Sequence, residues 1–240
     1  CALPILGKVA GISLRVHATF FLLLAWSAFR ALRADSGLGG AAYEVAFLVA
    51  VFGSVLLHEL GHALTARRFG IRTRDITLLP IGGLATLQAR TMNPRTELWV
   101  ALAGPAVNVA IAGAIFGAGT LSPLPEFFWE LAFVNVALAV FNLVPACPMD
   151  GGRVLRALLA GRWGRARATR IAATIGKGFA VAFAIWAVTS GNPLMFLIAM
   201  FLWVVGGREA RAAQPPRAVP VVAWYGDHPG PGAGAEFRSR

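Results

Sequence analysis

Six long apolar runs, separated by short polar or basic stretches, dominate the pattern of this chain. They cover about Val16 to Leu32, Ala41 to Ala66, Glu97 to Gly119, Glu126 to Val144, Ile171 to Thr189 and Pro193 to Val205. A helix needs roughly 20 apolar residues to cross a bilayer, and the fifth and sixth runs are near the lower limit of spanning length, so their boundaries are soft. Two segments break the pattern. The polar connection Arg67 to Arg95 contains Ile76-Thr-Leu-Leu-Pro-Ile-Gly-Gly-Leu-Ala-Thr-Leu87, which reads as two short extended pieces around a Pro/Gly turn. Met149-Asp-Gly-Gly-Arg153 then opens a short basic helix ending near Leu159. The predicted architecture is an all-α polytopic membrane protein of about six transmembrane helices, with a small β-hairpin or re-entrant loop between helices 2 and 3. Residues 1–206 make up that core. Residues 207–240, rich in Pro and Gly, are expected to form a disordered tail.

Composition strengthens the membrane reading. Hydrophobic residues make up 57% of the 240 and charged residues only 14%, where a soluble domain has about a quarter charged. A single water-facing core cannot absorb six such runs. The net charge of +11 would suit nucleic acid if it formed one continuous face, but the basic residues lie in clusters between the apolar runs. Nucleic-acid binding is therefore excluded. Lys8 and Lys177 are the only lysines among 22 basic residues, an arginine preference that suits a GC-rich bacterial genome and a bacterial or archaeal cell membrane. Cys1 and Cys147 provide no disulfide framework. No signal-peptide pattern is evident, and because residue 1 is not Met it is not taken as the natural start.

Charge placement predicts orientation, because basic residues stay on the cytoplasmic side. With both termini inside, the inner segments hold Lys8, Arg15, Arg67, Arg68, Arg72, Arg74, Arg90 and Arg95. They also hold the cluster from Arg153 to Arg170 and the basic residues of the tail, leaving only Arg30 and Arg33 outside. The inverse topology would strand nearly all of them.

The strongest chemical signal is His58-Glu-Leu-Gly-His62 near the inner end of the second run. Residues four apart share a helix face, so both imidazoles can reach one metal ion. Two His and a carboxylate suit zinc and leave a fourth position for water, with Glu59 beside it as a proton acceptor. Ionisable residues inside a lipid-spanning segment are costly, which favours a functional site over a chance match. Asp150 is the best-placed third ligand because it lies at the inner end of the fourth run, at the depth of the His pair. The alternative for Asp150 is a helix cap. Glu97 is the rival ligand, or else marks the entry of the third helix. Asn142 lies before the helix-breaking Pro145 and Pro148, where it can bond a peptide backbone or a developing oxyanion. Asn108 and Asn135 read as interhelical hydrogen-bonding groups. Gly82 and Gly83 either make a simple turn or present an open strand edge to an extended peptide. Gly104-Pro105 permits close helix packing and a kink.

Together these residues resemble the site-2 protease family of intramembrane zinc metalloproteases, peptidase family M50. The resemblance rests on His58 to His62 and on Phe141-Asn-Leu-Val-Pro-Ala-Cys-Pro-Met-Asp-Gly-Gly-Arg153, supported by Pro80-Ile-Gly-Gly-Leu84 and Gly104-Pro-Ala-Val-Asn108. It covers roughly residues 5 to 206. It implies one Zn2+ per chain held by His58, His62 and Asp150, Glu59 as general base, and Asn142 against substrate or intermediate. It also implies transmembrane segments of other proteins as substrates and an active site open to the cytoplasmic side. The lack of an inserted domain of about a hundred residues matches the compact branch without a PDZ domain. Many relatives carry C-terminal nucleotide-binding CBS domains, for which residues 207–240 are too few. The expected activity is hydrolysis of peptide bonds within the bilayer. The alternatives are a metal-binding membrane transporter, against which the lack of an internal repeat counts, and an inactive relative that only binds helices.

Overall fold

The computed structural model describes residues 5–34, 37–79, 82–87 and 92–212. Its helices are α1 (Ala18–Arg33), α2 (Gly37–Arg68), α3 (Pro94–Leu121), α4 (Glu126–Asn142), α5 (Asp150–Trp163), α6 (Arg165–Ser190) and α7 (Pro193–Ala212). Four strands accompany them: β1 (Ile5–Val9), β2 (Ile12–Val16), β3 (Thr73–Leu79) and β4 (Gly82–Leu87). Among the described residues α2, α3 and α6 are long and apolar enough to cross a membrane, and Met195–Gly207 of α7 is a shorter apolar stretch. The apolar runs of α1 and α4 end after 16 and 17 residues. At about 1.5 Å per residue they reach only ~25 Å, short of the ~30 Å hydrocarbon core.

Local chemistry sets the boundaries. Asn93 caps α3, its side chain accepting from the Arg95 N–H, with Pro94 in the first turn. Pro125 precedes α4, while Pro145 and Pro148 keep the chain after Asn142 from continuing that helix. Gly164 at φ 76° separates α5 from α6, and Gly191 at φ 63° ends α6. The helix α7 continues to Ala212, past the expected core limit at residue 206. Residues 213–240, most of the expected tail, lie outside the described residues.

Burial runs opposite to a soluble protein. Ala63, Ala66, Ala132, Ala168 and Ala172 are fully buried together with Asn108 and Asn135, whereas Leu22, Phe133, Ile185 and Val188 stand at 60–79% exposure. Small and polar residues inside with large apolar residues outside is the arrangement expected of helices packed in lipid. In this bundle α2 packs on α3, α3 on α4 and α5, α5 on α6, and α6 on α7.

The sheet is larger than the expected hairpin. Its order is β1-β2-β3-β4, with β2 parallel to β3 and the other neighbours antiparallel. The β3–β4 pairing realises the predicted hairpin, whose Pro80 and Ile81 lie outside the described residues. The additional β1–β2 hairpin turns through Ala10 and Gly11, both at positive φ (51° and 81°), as a tight two-residue connection requires. Ile12, Leu14 and Ile76 pack against Leu60 and Ala63 of α2. The sheet therefore rests on the half of α2 that carries His58 to His62.

One buried cluster ties the bundle together. Glu97 accepts from Arg156 Nε and Nη2 on α5 at 2.7 and 2.5 Å, and pairs with Arg165 Nη1 on α6 at 3.2 Å. Three helices thus share one carboxylate. Deleting one partner of a buried ion pair costs about 3–5 kcal/mol. Glu97→Ala is expected to lose stability of that order, read as a lowered melting temperature of the purified protein in detergent.

Candidate metal centre

Successive α2 residues differ in direction by about 100°. His58 and His62 therefore share a face, Leu60 points to the opposite side, and Glu59 lies between. Burial of Leu60 against the sheet turns the histidines toward α3 and α5. His58 Nε2 lies 3.1 Å from Asp150 Oδ2 and 3.1 Å from His62 Nε2, and His62 Nε2 lies 3.0 Å from Asp150 Oδ2. All three residues are buried. They make the one group of three or more potential ligand residues found among the described residues.

The chemistry of this donor set fits a cation. His62 Nδ1 lies 2.6 Å from the Val100 carbonyl, and a carbonyl only accepts, so Nδ1 carries the proton. Neutral His62 then presents an Nε2 lone pair to the other donors. His58 Nδ1 lies 2.6 Å from Asn108 Oδ1 and is held in the same way. Two lone pairs and a carboxylate oxygen converge on one spot and repel one another without positive charge between them. Two imidazole nitrogens and a carboxylate oxygen are a zinc ligand set. Zinc ligation requires the Asp150 carboxyl in its ionised form.

Neighbouring backbone approaches the centre at positions where a side chain would not fit. On α3, Val100, Gly104 and Asn108 repeat every four residues and form one face. A Cβ at Gly104 would run into His62 Nε2 and lie 2.7 Å from His58 Nε2. Asp150 is the first residue of α5, with Met149 in the cap position, so the capping alternative is not realised. The Gly-Gly that follows has another purpose. A Cβ at Gly151 would collide with the Leu143 and Val144 carbonyls, and one at Gly152 would lie 2.6 Å from Ala146 C and Cys147 N. The two glycines let α5 seat against the 143–147 segment and so fix Asp150.

Glu59 is half-buried and faces the sheet. A Cβ at Gly83 of β4 would collide with Glu59 Cγ and lie 2.9 Å from Oε1. The edge strand thus lies directly over the carboxylate. Gly82 pairs with Leu79 in the hairpin. Asn142 is half-buried at the end of α4, with no hydrogen bond to His58, His62 or Asp150. Glu97, the rival ligand, is engaged with Arg156 and Arg165 instead. Gly104 and Asn108, read as packing and interhelical groups, both touch the His pair. The signal for this was their spacing of four, which sets both on one face.

Known proteins resemble this chain along most of its length. The model of peptidase family M50 matches residues 46–124 and 121–183. A zinc metalloprotease of Methanocaldococcus jannaschii is 33% identical over 213 residues, covering 87% of this chain and 61% of the relative. Stage IV sporulation protein FB of Bacillus subtilis is 35% identical over 103 residues, 42% of this chain and 36% of that protein. The solved structure of a site-2 protease from M. jannaschii superposes with a TM-score of 0.66 at 32% identity, covering 88% of this chain and 96% of that one. The chain spans 58–61% of the length of the curated relatives that it matches along most of its own. With the family model matching more than half of its residues, this chain belongs to peptidase family M50.

Proposed function

We propose that this chain is an intramembrane zinc metalloendopeptidase that cuts transmembrane segments of other proteins. The observation that carries the reading is the convergence of His58 Nε2, His62 Nε2 and Asp150 Oδ2 in the buried interior of an apolar helix bundle, with Glu59 next to His58 in the chain. His58, His62 and Asp150 would hold one zinc ion. The ion would supply Lewis acidity, polarising the scissile carbonyl and making water acidic enough to attack at neutral pH. Glu59 accepts the proton of the attacking water and passes it to the leaving amine. Helical carbonyls are already hydrogen-bonded, so a substrate helix must unwind before it can be cut. The β4 edge at Gly82 and Gly83 offers an extended backbone to pair with the unwound segment. Asn142 is assigned to the substrate backbone or to the oxyanion.

Orientation follows from charge. His62 stands about 9 Å along α2 from Arg68, at ~1.5 Å per residue. The centre therefore opens toward the basic, cytoplasmic side. The experiment is reconstitution of the purified protein with single-span membrane proteins. A truncated product is expected that disappears on chelation and returns with added zinc, at about one zinc per chain by metal analysis. Persistent cleavage in fully metal-free protein would refute the reading.

A further inference from the structure

The His pair is held from outside the ligand set, and one of the two supports is itself oriented from a distance. A hydrogen-bonded chain of buried side chains runs from α2 through α4 and α3 to His58. Ser54, Asn135 and Asn108 are all buried, the two asparagines fully. The direction of every bond in this chain is forced from its far end. Asn135 Nδ2 lies 2.9 Å from the Leu131 carbonyl, which only accepts, so the amide NH2 must face it. The same NH2 donates to Ser54 Oγ at 3.1 Å, and the Ser54 hydroxyl donates on to the Ala50 carbonyl at 3.2 Å. Asn135 Oδ1 is left to accept, which obliges Asn108 to present Nδ2 to it at 2.9 Å. Asn108 then has only Oδ1 to offer His58 Nδ1, at 2.6 Å. His58 must carry its proton on Nδ1 and keep the Nε2 lone pair for the metal.

We infer that Asn108 and Asn135 are positioning residues: a polarised amide relay, anchored on the Leu131 carbonyl of α4, fixes the tautomer and ring angle of His58 for zinc. The inference rests on the metal-centre reading above. A reversed Asn108 amide would donate to Nδ1, put the ring proton on Nε2 and oppose ligation. Asn135 is what prevents that reversal. Partners of this kind typically change metal affinity by about 10–100-fold when removed.

The test is zinc affinity of the purified full chain in detergent, by competition with a chromophoric chelator, alongside the visible spectrum of the cobalt-loaded protein. Asn108→Leu removes the acceptor and is expected to weaken zinc by about 10–100-fold. Asn108→Asp offers His58 only acceptors, as in carboxylate–histidine–zinc arrangements, and is expected to recover most of the loss seen in Asn108→Leu, although its other oxygen then meets Asn135 Oδ1 without a donor. Asn135→Leu is expected to weaken zinc about tenfold when Asn108 is present. It should cause no further loss of zinc affinity in an Asn108→Asp background, where no wrong orientation exists and the Asn135 contact joins two acceptors. Equal losses from Asn135→Leu in both backgrounds, or an Asn108→Asp as poor as Asn108→Leu, would overturn the relay. The Asn135 comparison decides the matter even where Asn108→Leu fails to fold. A wild type that binds zinc tightly beside an Asn108→Leu of equal affinity sinks the relay and leaves the metal centre standing. A wild type that binds no zinc sinks both.

Discussion

Glu59→Gln is expected to keep about one zinc per chain and to lose about 10²–10⁴-fold or more in cleavage of a membrane substrate, the range of a positioned general base. The substitution preserves side-chain shape, so the contact with Gly83 and the helix beneath it survive. What disappears is the ability to take a proton. Glu59 is not among the three converging ligand residues, so its amide leaves that donor set intact. The measurement pairs metal analysis with the yield of truncated substrate, and full cleavage by this variant refutes the role of Glu59. Metal flux into vesicles that survives the change would instead favour the transporter alternative, which has no need of a base beside His58. Loss of zinc together with cleavage would make Glu59 a structural support of the centre rather than its base.

How much of this was readable beforehand depends on the range of each interaction. The His58/His62 pair is written in local spacing, four residues apart on one helix, and the structure keeps that geometry. Asp150 is 88 residues from His62, yet depth along the membrane brought it close to the right place; only coordinates supply the 3.0 Å approach. The β3–β4 hairpin carries Pro/Gly turn chemistry between apolar stretches and was legible. The β1–β2 hairpin was not, because five-residue strands with Lys8 and Arg15 among them look like a polar lead. Their stabilisation comes from elsewhere, through pairing with β3 and burial of Ile12 and Leu14 against α2. The length of α6 was underestimated for a similar reason. Its first turns contain Arg165, Arg167 and Arg170, which end an apolar run without ending a helix.

The hardest features to foresee were those of α3. Glycine at 104 and asparagine at 108 each have an ordinary explanation in a membrane helix, and the partner that makes them specific lies about fifty residues away. A side chain's absence leaves no mark in periodicity. It becomes informative once the atoms that occupy the space are known. The same holds for Gly83, Gly151 and Gly152. Each admits a close approach beside one candidate carboxylate, Glu59 for the first and Asp150 for the other two.

Two single-methyl additions should therefore separate metal binding from catalysis. Gly104→Ala places its Cβ against His62 Nε2 and 2.7 Å from His58 Nε2. The rings are rigid, and both are tethered through Nδ1, to Val100 O and to Asn108 Oδ1. Neither can yield without tilting its lone pair off the common point. The expected result exceeds the about 10–100-fold weakening seen when an outer support is lost, with cleavage lost in parallel. Gly83→Ala meets a different neighbour. Its Cβ collides with Glu59 Cγ, part of a flexible side chain that can swing aside. Zinc affinity should stay near wild type, while displacing the base by about 1 Å should cost on the order of 10²-fold in turnover. Metal competition and cleavage assays on both variants give the comparison. Normal zinc affinity in Gly104→Ala, or zinc loss in Gly83→Ala, would mean that the backbone around this centre yields far more easily than close packing in the bundle allows.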